Sequence, residues 1–401
     1  MELAELQPLY DNYHRKIAKI SLRFKRYLYD QINWESRIIS IKGARGVGKT
    51  TMLLQHILEN YEDIDRTLYV SLDDLWFATH NLIDLVDWAD RHGIMRLYLD
   101  EVHRYEGWSL VLKNIYDNYP DMSIVYTGSS LLVMDNANVD MSRRQTSYTM
   151  HGMSFREYLE IEDIMHINPV SIDDLLHRHV KIAMEIVGSV KIAPLFELYL
   201  SNGYYPFYRE SLPDFPSRLR ETVSVVIDSD LPSVVKVSFD TLHKMKKLLM
   251  IVSANVPFEP NMSELWRQLS TDNESGLKML YALDKAQVLM LLSAKKKNYK
   301  NLVKPDKIYL GNPNLMHVLC PSVDKGNERE TFFLNQVRAG HDVTYPKQGD
   351  FLIDGRYLFE VGGRRKTFDQ IADVPDSFLA VDDTEVGYGN RIPLWMFGFL
   401  Y

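Results

Sequence analysis

The chain has 401 residues, 46 Lys+Arg against 54 Asp+Glu, and 46% apolar content. This excludes wholesale disorder and predicts two or three domains at roughly 150 residues each. A net charge of −8 excludes a surface that is basic throughout and restricts nucleic-acid contact to local patches. The single cysteine, Cys320, excludes an intrachain disulfide framework and a cysteine zinc finger, and fits a reducing cytosol. The first residues are acidic and polar, without the charged and apolar regions of a signal peptide. Apolar runs such as Leu248–Val252 are too short to span a bilayer, so a cytoplasmic protein with no membrane partner is expected.

Residues 14–26 carry six Lys/Arg and no acid. Interleaved Ile17, Ile20, Leu22 and Phe24 predict an amphipathic basic helix, its charged face either solvated against the next domain or in contact with nucleic acid. Short β-branched and apolar runs then predict strands at Ile38–Ile41, Thr67–Leu72, Arg96–Leu99, Ser123–Tyr126 and Ser147–Met150. Helical segments separate most of them, the pattern of a parallel sheet covered by helices. Residues 155–225 read as helix broken at Pro169, Pro194, Pro206 and Pro213. Residues 241–293 read as helix and then strand. From 328 a helix precedes strands at Val343–Tyr345, Phe351–Ile353, Tyr357–Val361, Phe378–Val381 and Leu394–Phe399.

Gly43-Ala44-Arg45-Gly46-Val47-Gly48-Lys49-Thr50 fits G-x-x-x-x-G-K-[ST] in full, after a strand and before a helix. The glycines let successive N–H groups turn toward phosphate oxygens. Lys49 supplies charge to the β- and γ-phosphates, Thr50 offers a hydroxyl to Mg²⁺, and the helix beginning with Thr50 and Thr51 adds its positive end. An apolar strand ends in Asp100 and Glu101, 51 residues after Lys49. Asp100 is the expected Mg²⁺ partner and Glu101 the base that takes a proton from water or orients it. Thr127 or Ser129, at the tip of the next strand, can sense the γ-phosphate or the water, or can simply form a turn. Arg143 or Arg144 can serve as an arginine finger, on its own nucleotide or across a subunit boundary, or the two can be a solvated pair.

These residues resemble the AAA-type branch of P-loop ATPases, in which an extra strand separates the two Walker motifs. More narrowly, Tyr98–His103, Thr127–Ser130, Ser142–Arg144 and Gly152–Leu159 resemble bacterial and archaeal ATPases with a C-terminal nuclease-like domain. The resemblance implies an α/β P-loop fold, ATP and Mg²⁺ as ligands, and a homo-oligomer or protein partner as an open question.

Residues 260–294 predict two helices, with starts at Asn261–Glu264 and Thr271–Glu274. A strand over Gln287–Leu292 completes a winged-helix pattern. Lys295, Lys296, Lys297, Lys300, Lys304 and Lys307 then form a basic wing, suited either to DNA phosphates or to domain packing. Further on, Glu330, Asp350 and Glu360 resemble the PD-(D/E)xK nuclease core, which implies a divalent metal at those acids. Gly362 stands where that pattern has its lysine; either Lys366 reaches in from a following helix and Gln370 lines the site, or the site is degenerate and only binds nucleic acid or protein.

The expected organisation is therefore an AAA-type domain over 1–155, a helical domain over 156–235, a winged-helix-like domain over 236–325 and a small α/β nuclease-like domain over 326–401. The expected function is Mg²⁺-dependent ATP hydrolysis that drives conformational change in C-terminal nucleic-acid- or partner-binding domains. The alternatives are an ATP-switched DNA-binding regulator with little turnover and an ATP-gated metal-dependent nuclease.

Overall fold

The computed structural model describes residues 3–60, 64, 66–129, 131, 141, 143–235, 237–255, 259, 261–294 and 303–401. Ser130 and Ser142, and Lys295, Lys296, Lys297 and Lys300 of the expected basic wing, lie outside the described residues. Contacts divide the chain into two units. One holds residues up to His151 together with 228–236; the other holds 152–227 and 237–401. The three later segments expected from the sequence thus fall into one unit, apart from the short return of 228–236 to the first.

In the first unit, five parallel strands lie in the order β2-β3-β4-β1-β5. They are β1 (Ile38–Gly43), β2 (Thr67–Ser71), β3 (Arg96–Asp100), β4 (Ser123–Ser129) and β5 (Thr146–Met150). The first four are almost wholly buried, which is why they read as continuous apolar runs rather than alternating ones. Register aligns their C-terminal ends: Gly43 lies beside Ser129, and Ser71 beside Asp100. Every loop that follows a strand therefore emerges at one edge, where ligands bind in open α/β sheets. Leu82, Leu85 and Val86 of helix α3 (Leu82–Arg91) and Leu112 and Ile115 of α4 (Trp108–Asn118) pack on Leu97, Leu99 and Ile124 of the sheet.

The basic stretch differs from expectation. The first helix, α1, spans Leu3–Ile17, and residues 18–26 are not helical. Their carbonyls are taken elsewhere: the Gln55 amide donates to the Ser21 and Phe24 oxygens. Arg26, buried, donates to the Val47 and His151 carbonyls. This arginine braces the phosphate loop rather than facing solvent.

His56 lies in α2 (Lys49–Glu59), stacked on Trp34 with centroids 3.8 Å apart, its Nδ1 2.7 Å from the Tyr98 hydroxyl. Burial first, and then the Arg96 charge, push its pKa down from 6.5 to about 4. The unfolded chain therefore binds this proton more readily. The stabilisation is complete above pH 6.5 and is lost as pH falls toward 4, about 3 kcal/mol in all. Urea unfolding followed by tryptophan fluorescence at pH 7.5 and 4.5 checks this. His56→Gln should flatten the pH dependence by about that amount.

The second unit opens with a capping box. The Ser154 hydroxyl accepts from the Glu157 N–H, and Glu157 reaches back to the Ser154 N–H, starting the helix Phe155–Ile161. Ser154 Oγ and Arg156 Nε both donate to the Tyr401 carbonyl at 2.9 Å. The Ser-Phe-Arg-Glu segment is thus a structural anchor. Pro194 does not break a helix: it sits in the first turn of Ile192–Leu198, where a backbone N–H would have no intrahelical acceptor.

Helices Met262–Gln268 and Asn273–Lys285 precede an antiparallel pair, β6 (Leu289–Leu292) and β7 (Lys307–Leu310). The cap of the second helix is Asp272 rather than Thr271. Its exposed side offers Glu274, Ser275 and Lys278, with Lys278 paired to Glu274 at 2.6 Å.

Helix Lys325–Val337 lies on a sheet of order β12-β11-β10-β9-β8. Its strands are β8 (Val343–Thr344), β9 (Phe351–Ile353), β10 (Tyr357–Gly362), β11 (Ser377–Val381) and β12 (Arg391–Pro393). Asp354 and Gly355, at φ +52° and +68°, make the tight β9–β10 hairpin. Leu394–Phe399, expected as a strand, is a 3-10 helix whose six residues are all buried. A continuous apolar run does not separate a buried strand from a buried helix.

Candidate nucleotide site

β1 ends at Gly43, where a Cβ would lie 2.4 Å from the Met150 carbonyl oxygen of neighbouring β5. Only glycine lets the chain leave the sheet there. Gly48, at φ +102°, then turns the loop into α2. Ala44 and Val47 are buried beneath it, while Thr51 is exposed. Lys49 Nζ donates to the Gly43 and Ala44 carbonyls, each at 2.9 Å, so the ammonium is held inside the loop it would share with phosphates.

The two motifs meet at Asp100, which is 2% exposed. Its Oδ2 accepts from the Thr50 hydroxyl at 2.7 Å and the Tyr69 hydroxyl at 2.8 Å. Its Oδ1 accepts from the Thr127 hydroxyl. Burial, and then the Asp100 charge, raise the Tyr69 pKa, so Tyr69 remains a donor. A hydroxyl and a carboxylate oxygen side by side are hard oxygen donors, the chemistry Mg²⁺ takes. Thr50 and Asp100 therefore fit that ion.

Glu101 follows at φ +53°, a left-handed position uncommon for glutamate. Its N–H donates to Thr127 Oγ1 at 3.1 Å. Thr127 thus spends its proton on Asp100 and its lone pair on Glu101: it organises the acids instead of being free for phosphate. Ser129 Oγ accepts from the Leu131 N–H at 3.3 Å, and its own N–H faces His103 Nδ1 at 3.4 Å.

Arg143 and Arg144 are not brought to this edge. They precede β5, at the opposite end of the parallel sheet, about 16 Å away along a five-residue strand. Arg143 is exposed. Arg144 faces Asp117 at 3.4 Å and lies over the Tyr116 ring. A finger acting on the same subunit's nucleotide is excluded by that topology.

The sequence reading missed His103, Arg104 and Asp230. Asp230, 2% exposed, accepts from Arg104 and from Arg45 of the phosphate loop, the latter at 3.3 Å. Burial pushes the Asp230 carboxyl up, but His103, Arg45 and Arg104 outweigh it and hold the pKa below the usual range. Nothing in the sequence links positions 104 and 230.

In the second unit, Lys307 Nζ stands 3.3 Å from Glu330 Oε2 and 3.8 Å from Asp350 Oδ1. The Tyr309 hydroxyl donates to Glu330 at 2.6 Å, and Asp350 Oδ2 accepts from the Val361 N–H at 2.9 Å. Burial and the Asp350 charge raise the Glu330 pKa. Lys366 reaches Glu360 at 2.7 Å, from a turn rather than a helix. A Cβ on Gly362 would lie 2.8–2.9 Å from the Lys366 side chain, so the glycine makes room for that lysine. Gln370 is exposed. Among the described residues, no three His, Cys, Asp or Glu are grouped to hold a metal. An ammonium stands between Glu330 and Asp350, so the residues do not fit a divalent ion.

Residues 35–159 match the family model described as AAA domain. An uncharacterised protein of Methanocaldococcus jannaschii is 27% identical, over 88% of this chain and 83% of its own. The AMPPCP-bound DnaA of Aquifex aeolicus is 14% identical, covering 71% of this chain and 89% of that one, with a TM-score of 0.25. The Hsp104–ADP complex of S. cerevisiae is 11% identical, covering 69% and 41%, with a TM-score of 0.31. Among the described residues, no helix is long and apolar enough to cross a membrane.

Proposed function

We propose, from the AAA-type P-loop domain of residues 35–159, that this protein binds and hydrolyses ATP with Mg²⁺. The observation that carries the reading is the convergence on Asp100 of Thr50 from the phosphate loop and Thr127 from β4, with Glu101 next in chain. Gly43–Thr50 would cradle the phosphates, Lys49 would neutralise the β- and γ-oxygens, and Thr50 and Asp100 would hold the ion. When bound, the ion would neutralise charge developing on the phosphates. Glu101 would orient the water and take its proton. Loss of the γ-phosphate would then release the surrounding loops, the physical switch by which hydrolysis drives the second unit. Arg143 is exposed and is proposed as a finger only toward a neighbouring copy's nucleotide.

Phosphate release from ATP, with Mg²⁺ and with or without duplex DNA, tests this. Release stimulated by DNA supports nucleic acid as the partner of the winged-helix-like region. Tight ATP binding with no release supports an ATP-switched regulator instead.

A second reading is a metal-dependent nuclease in the last domain. The pairing of Lys366 with Glu360 in the space left by Gly362 favours it. Lys307 on Glu330 and Asp350 disfavours it, because an internal cation already occupies the space between the acids. The expected result is no Mg²⁺- or Mn²⁺-dependent nicking of supercoiled plasmid. Nicking that Asp350→Ala abolishes would overturn that expectation.

A further inference from the structure

The 3-10 turn Val102–Arg104 carries His103 back beside Glu101, with its side chain 1% exposed. The Ser129 N–H points at Nδ1, which makes Nδ1 the acceptor and leaves the proton on Nε2. Nε2 faces two carboxylates, Glu101 Oε2 at 3.5 Å and Asp230 Oδ1 at 3.8 Å. It makes a hydrogen bond to neither. A buried donor left between two acceptors carries the cost of its lost hydration until it closes on one of them.

Asp230 is also the acceptor for Arg104 and for Arg45, whose side chain is 40% exposed on the phosphate loop. Asp230's hold on His103 therefore depends on where Arg45 spends its charge. A triphosphate in the loop offers Arg45 a stronger anion than one carboxylate. With Arg45 drawn away, Asp230 is less neutralised and attracts the Nε2 proton more strongly, which fixes the ring beside Glu101.

We propose that His103 is a positioning residue for Glu101, and that Asp230 and Arg45 couple its choice of carboxylate to the charge of bound nucleotide. The proposal rests on the ATPase reading and names the control of that same site. Without nucleotide, His103 closes on neither carboxylate, and Glu101 is not fixed. With nucleotide, His103 closes on Asp230, and the ring, then fixed beside Glu101, holds the base toward the water. The segment 228–236 thus acts on the site through one carboxylate.

The test measures kcat, KM and the affinity for a fluorescent ATP analogue in His103→Ala, His103→Gln and Asp230→Asn. Misplacing a base by about 1 Å costs up to about 100-fold. His103→Ala should therefore lose 10- to 100-fold in kcat with analogue affinity within about threefold. His103→Gln, which keeps a donor at the Nε2 position, should recover most of that loss. Asp230→Asn should lower kcat about tenfold alone, and should add nothing to the single-turnover rate in a Glu101→Gln background. Multiplying losses would overturn the coupling, as would a glutamine variant as slow as the alanine one. Should Asp230→Asn fail to fold, the two His103 variants still decide the positioning role. A wild type that binds ATP but releases no phosphate defeats the ATPase reading itself. A wild type that turns over while His103→Ala matches it defeats this inference alone.

Discussion

Glu101→Gln is expected to lower phosphate release by 10²- to 10⁴-fold, the usual worth of a positioned general base, while ATP binding persists. The reason is geometric. The Glu101 N–H is tied to Thr127 Oγ1, and the left-handed backbone at this residue turns the chain out of β3. Its carboxylate is 21% exposed, open enough to meet water, whereas Asp100 beside it is buried and accepts from Thr50, Tyr69 and Thr127. Glutamine keeps the size and the orienting oxygen but cannot take the proton. Single-turnover assays at saturating ATP, beside analogue-binding measurements, separate the two effects. Unchanged turnover would remove Glu101 from the chemistry.

Lys49→Ala is expected to weaken ATP binding by roughly 100-fold, the scale of one or two charge-assisted hydrogen bonds removed from a buried site. Lys49 is 5% exposed, and its ammonium already sits on the Gly43 and Ala44 carbonyls. Little reorganisation is then needed for it to meet phosphate oxygens, which is why its removal should register in affinity before turnover. Equilibrium titration with a fluorescent ATP analogue checks it, with circular dichroism confirming the fold. Affinity within threefold of wild type would show that the loop does not bind nucleotide through this lysine.

The phosphate loop and the Asp100-Glu101 pair were legible because their chemistry is local. A glycine-rich turn, a lysine and a hydroxyl must follow one another for the backbone to cradle phosphate. An acid at a strand end is visible as a break in an apolar run. Strands β1–β4 and β9–β11 were legible for the same reason, since burial writes a run of branched and aromatic residues, whereas the short β7 and β12 leave no such run. The basic stretch 14–26 misled because charge predicts solvation, whereas Arg26 is buried against loop carbonyls. Leu394–Phe399 misled because a fully buried run has no face to reveal its period.

Local order along the chain was thus enough to find a phosphate-loop motif, the acids at the end of β3 and the α/β character of the first domain. It did not reveal that Arg143 and Arg144 stand at the wrong edge of the sheet, since only strand direction assigns a loop to one edge or the other. Nor did it reveal that Asp230 lies against Arg45, His103 and Arg104, or that Lys307 sits between Glu330 and Asp350. Those pairings join residues far apart in the chain, and charge attraction leaves no periodic trace in a sequence. They exist only once the backbone has folded and desolvation has made each buried charge find its partner.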